Sequence, residues 1–108
     1  MLVHSATAPR AASLVLLALP QSLWMPTLEV AWAVTAAVGS IYRPTNPRPP
    51  LTRSEERNAT PDQVTDRAVG SGDEHAIKFA EVAQESHRRG NPHALPAAAR
   101  ACHLIAGD

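Results

Sequence analysis

The stretch DEHAIKFAEVAQESHRRGNPHALPAAARACHLIAG, residues Asp73 to Gly107, decides the fold, because its apolar periodicity holds over several helical turns. At about 100° per residue, Ala76, Ile77, Phe79, Ala80, Val82 and Ala83 share one broad side of a helix, while Glu74, Lys78, Glu81, Glu85, Arg88 and Arg89 gather on the other. That apolar side is wider than one neighbouring helix needs, so the pattern predicts packing against two surfaces. Arg88 and Arg89 suit the negative end of the helix dipole, and Gly90-Asn91-Pro92 supplies a left-handed cap and a residue that cannot continue the helix. The first helix is therefore predicted to stop at about Arg89. A second stripe, Leu95, Ala98, Ala99, Cys102, Ile105 and Ala106, follows at spacings of three and four. Pro96 is tolerated only in a first turn, so this helix should begin no earlier than Ala94. The two helices form an αα-hairpin. The residues predicted to line its core or to present an interaction face are Ile77, Phe79, Val82, Leu95, Cys102 and Ile105.

Upstream, Thr60-Pro61-Asp62-Gln63 reads as a helix start, with Thr as N-cap, Pro at the first position and Gln closing a capping box. Val64 and Ala68 share a face, Gly70 should end the helix, and Ser71-x-x-Glu74 offers a second capping box for the long helix. Three helices are thus expected over residues 59–108. Residues 40–58 carry Pro44, Pro47, Pro49 and Pro50 and no apolar spacing, which predicts a disordered, extended linker. Its PxxP spacings lack the flanking arginine of an SH3 ligand and read as a spacer. Asn58-Ala59-Thr60 has the form of a glycosylation acceptor, but the capping reading accounts for it better.

Residues 1–39 form an apolar segment expected to be helical. The run Ala11–Leu19 is followed by Pro20-Gln21-Ser22 and then by a second apolar stretch from Thr27 to Val38. As a single membrane span it is poor, because Pro20, Pro26, Gln21 and Glu29 fall inside the ~20-residue window and a central carboxylate costs about 2.5–3.5 kcal/mol. As a signal peptide it has one early cation, Arg10, and its small-residue site at Ala31-Trp32-Ala33 lies a dozen residues beyond the apolar core.

The whole chain has 108 residues, room for one small domain, and ten Lys plus Arg balance ten Asp plus Glu, so no overall field draws it to nucleic acid or to an anionic membrane. One cysteine excludes an internal disulfide and fits a reducing compartment, which favours the cytoplasm. No metal site is expected, since His75, His87, His93 and His103 show no HExxH or CxxC pattern. Cys102 sits in an apolar stripe without a basic partner, and no GxSxG, P-loop or GxGxxG occurs, so neither catalysis nor a cofactor is expected. The hairpin turn also fails as a DNA reader, because Pro96 lies in the would-be recognition helix and Arg100 is its only permanent cation.

With Gly90-Asn91 at the turn, Phe79, Val82 and Ala83 stand where one helical repeat favours Trp, Leu and Gly, and Cys102 where it favours a small residue. In these positions the hairpin loosely resembles a tetratricopeptide unit. It departs from that pattern at Ser86 and Ala99, where aromatics are usual, and no second copy precedes it. From Thr60 onward only eight large apolar residues occur, so the hairpin needs covering surface from a protein partner, a second copy or the N-terminal segment. The expected function is a helical protein-interaction module. The alternatives are a small membrane-associated protein anchored by residues 11–38, or a fragment of a longer helical protein.

Overall fold

The computed structural model describes residues 2–46 and 53–107. The protein is mainly helical, with no strand among the described residues. It divides into two compact units, Met1–Pro47 and Arg48–Asp108, so the boundary falls inside the predicted linker.

In the first unit, α1 (His4–Val15) and α2 (Trp24–Tyr42) pack on each other, joined by two 3-10 turns, Leu16–Ala18 and Gln21–Leu23, on either side of Leu19-Pro20. Pro26 lies in the first turn of α2, where its missing N–H costs nothing. Pro9 is inside α1 and cannot donate to the carbonyl four residues back. That carbonyl, Ser5 O, lies 3.4 Å from the Thr35 hydroxyl of α2, whose one proton is shared with Ala31 O at 2.9 Å. A neighbouring helix thus offers the donor that Pro9 removes.

The second unit contains α3 (Ser54–Arg57), α4 (Pro61–Ser71), α5 (Glu74–Arg88) and α6 (Ala94–Ala106). Helices α4, α5 and α6 pack pairwise, and the single turn of α3 lies against α6. Thr60 opens α4 with a complete capping box: Gln63 N–H donates to Thr60 Oγ1 at 3.3 Å and Thr60 N–H donates to Gln63 Oε1 at 3.0 Å. Thr60→Ala should lower the urea-unfolding free energy by about 0.5–2 kcal/mol, as loss of an N-cap does.

Helix α4 runs past Gly70 to Ser71, and Gly72 provides the left-handed cap at φ 66°. Asp73, rather than Ser71, caps α5: its Oδ1 accepts from the N–H groups of His75 at 2.7 Å and Ala76 at 3.3 Å. The His75 and Ala76 N–H groups hold the Asp73 carboxyl below its usual pKa. A carboxylate matches two open N–H groups and the positive helix end better than a hydroxyl does. At the hairpin turn Gly90 is left-handed at φ 93°, and Asn91 bridges from Ser86 Oγ to the N–H of His93. Helix α6 starts at Ala94, as Pro96 requires.

The predicted disorder of residues 40–58 is corrected at both ends. Residues 40–42 complete α2, and α3 forms with Glu55 and Glu56 in its first turn and Arg57 in its last, charges that suit a helix dipole. Glu56 is only 3% exposed and pairs with Arg100 of α6, a tertiary anchor that local pattern cannot reveal. Residues 47–52 of the predicted linker lie outside the described residues.

The core of the second unit is built on alanine. Ala76, Ala80 and Ala83 of α5 cluster with Ala94, Ala98 and Ala99 of α6, and Ala59, Val64, Ala68, Leu95 and Cys102 complete the cluster. Small side chains let helix axes approach closely, which pushes larger neighbours to the rim of the contact.

Candidate interaction surfaces

Of the six residues expected on the core or interaction face, Leu95 and Cys102 are buried, and Phe79 and Val82 are half-buried, Phe79 packing against the cluster. Ile77 and Ile105, at 43% and 36% exposure, lie at the surface instead. The alanine ridge Ala76-Ala80-Ala83 occupies the middle of the apolar side, and Ile77 stands about 90° from its centre. A wide apolar stripe does not reveal its own centre.

Cys102 also lines a cleft of about 420 Å³ between α3, α4 and α6 with residues that the periodicity does not mark, among them Arg53, Glu56, Arg67, Ser71 and His103. Arg53 donates to the His103 ring, and Arg100 Nη1 stands 3.3 Å from Glu56 Oε1. Burial pushes the Cys102 thiol above its ordinary pKa, and the charge of Arg67 offsets part of that rise. The thiol is therefore protonated at neutral pH, while the adjacent imidazole is engaged by Arg53, an arrangement that supplies no thiolate nucleophile. Among the described residues no group of three His, Cys, Asp or Glu side chains could hold a metal ion.

The raised thiol pKa has a pH consequence with a definite sign. The neutral thiol is favoured in the folded state, so its contribution is complete below the unfolded pKa of about 8.5 and is lost as pH climbs through the folded value. Urea midpoints should fall more steeply above about pH 8.5 in the natural chain than in Cys102→Ala. Parallel slopes would contradict the burial of this thiol.

The largest apolar surface lies in the first unit. Neither α1 nor α2 contains a buried residue. Among the described residues, twelve of the sixteen exposed large hydrophobic side chains belong to this unit, including Leu17 at 86%, Trp32, Val30, Met25 and Leu14. Ala8 and Ala12 of α1 line an open groove with Pro26, Thr27, Val30, Ala31 and Val34 of α2. Leu16, Leu19, Trp24 and Val38 are half-buried. Among the described residues, no helix is long and apolar enough to cross a membrane.

Comparison with known proteins adds nothing to this geometry: no family model, no curated protein and no solved structure matches the chain.

Proposed function

We propose that this protein is a non-catalytic helical interaction module in which the Arg48–Asp108 unit is the stably packed scaffold and the Met1–Pro47 unit is the binding element. The observation that carries this reading is the contrast between the two units. Among the described residues, one has a contiguous buried cluster, whereas the other has no buried residue and most of the exposed large apolar side chains. Exposed apolar surface on this scale marks association, because water around it is released when it is covered. The protonated, buried Cys102 and the solvated ion pairs of α5, such as Lys78 with Glu74 at 2.8 Å, favour a scaffold role for the second unit over chemistry.

A photo-crosslinking side chain placed at Leu17, or at the exposed Asp62 of α4, tests the assignment in cells that express the full chain. Adducts from position 17 and few from position 62 are the expected result. Equal yields from both, or none from position 17, would overturn the reading.

A further inference from the structure

We infer that the turn end of the first unit, residues 14–28, is a membrane-docking tip whose partner is the acyl-chain boundary of a lipid bilayer; this rests on the reading of that unit as the binding element. Three observations converge on a lipid partner.

The first is charge placement. Between Arg10 and Glu29 the chain has no charged residue, and these two bracket the turn symmetrically. Arg10 lies five positions before the end of α1 at Val15, and Glu29 five positions after the start of α2 at Trp24. At about 1.5 Å per residue each stands about 7.5 Å from the helix ends, and the two 3-10 turns, Leu16–Ala18 and Gln21–Leu23, carry the charge-free tip further. The tip therefore reaches through the ~5–10 Å by which interfacial elements enter a bilayer, and both charges stay at or outside headgroup level.

The second observation is the exposure of large apolar side chains around the turn. Leu14, Leu17, Leu23 and Met25 are exposed there, while Leu16, Leu19 and Trp24 are half-buried. An apolar, charge-free tip of this kind matches the part of an interfacial element that enters the acyl boundary.

The third is that polar side chains on the helices near the tip are satisfied within the unit. Ser13 Oγ donates to Arg10 O at 2.7 Å, Thr27 Oγ1 to Leu23 O at 2.7 Å, and Trp24 Nε1 to Leu19 O at 3.1 Å. Such internal bonding removes the main cost of taking these groups out of water. Gln21 and Ser22, in the turn, are neutral.

The test is flotation of the full chain with vesicles of phosphatidylcholine and phosphatidylglycerol, with Leu17→Glu and Met25→Glu as tip variants. Leu104→Glu, at an exposed apolar position of the second unit, is the control for charge alone. Both tip positions are exposed, so a new charge there removes no core contact. The natural chain and Leu104→Glu are expected to float together with the vesicles. The tip variants are expected to partition about tenfold less or worse. In a Trp32→Phe background, Trp24 emission should shift to the blue on binding and be quenched by lipid brominated near the headgroup end of the acyl chain.

Failure to float, or flotation that Leu17→Glu and Met25→Glu leave unchanged, would overturn the lipid assignment. If position 17 still crosslinks to a protein or to a second copy in cells, the interaction reading stands and only the partner is wrong; absence of those adducts would remove both.

Discussion

Leu95→Ala is expected to lower the unfolding free energy of the C-terminal unit by about 2–5 kcal/mol. Among the described residues Leu95 is the only leucine in the buried cluster, and its neighbours there are mostly alanines. Short side chains cannot swing inward to fill the space a leucine leaves, so the cavity persists and the loss should lie toward the upper end. Phe79→Ala should cost less, about 1–2 kcal/mol, because its ring covers the rim of the cluster and was never fully removed from water. Urea denaturation followed by circular dichroism decides the order. A larger loss for Phe79 than for Leu95 would mean that the aromatic, and not the alanine-lined interior, anchors the unit.

Arg100→Ala should be the most damaging change to a charged residue, costing about 2–4 kcal/mol. It leaves Glu56, only 3% exposed, without the cation that stands 3.3 Å away. The full cost of an unpaired buried charge is reduced here because Arg100 itself is about one-third exposed and water can reach the pair. Glu56→Gln, which keeps the shape and removes the charge, should cost less than Arg100→Ala. Arg57→Ala, one position along on the exposed side of α3, should stay within about 0.5 kcal/mol. If Arg100→Ala and Arg57→Ala were equivalent, the attachment of α3 to α6 would not depend on this pair.

Local signals in the sequence located the elements well where the chemistry is local. Thr60 and Gln63 announce the start of α4, Pro96 limits the start of α6, and Gly90 marks the hairpin turn, because each acts on backbone groups within four residues of itself. Reading failed where the deciding interaction spans the chain. Nothing near Glu56 indicates that Arg100, forty-four positions away, will bury it, so the prolines before it suggested a linker continuing through it. The displacement of the α4 end from Gly70 to Gly72 is smaller but of the same kind, since two glycines two apart offer the same cap and the competition is settled by Asp73 on the next helix.

Side-chain size misled the reading of the core. Hydrophobicity ranks isoleucine above alanine, yet close helix packing puts Ala76, Ala80 and Ala98 at the centre and leaves Ile77 and Ile105 outside. In the first unit composition alone suggested apolar helices, and the sequence could not say which way they would face. That depends on the pairing of α1 with α2, which leaves Leu14, Leu17 and Met25 exposed and Leu16, Leu19 and Trp24 half-buried.

The claim on which the whole account rests is that only the second unit has an interior of its own, and amide hydrogen exchange of the dilute full chain in lipid-free buffer tests it most directly. Protection should be strong at the amides of α5 and α6 around Ala80, Ala83, Ala98 and Ala99, where opening means breaking the buried cluster. Amides of α1 and α2 should exchange much faster, because no buried side chain holds those helices closed. Protection in α1 and α2 equal to that in α5 and α6, in a chain shown by sedimentation to be monomeric, would contradict the account.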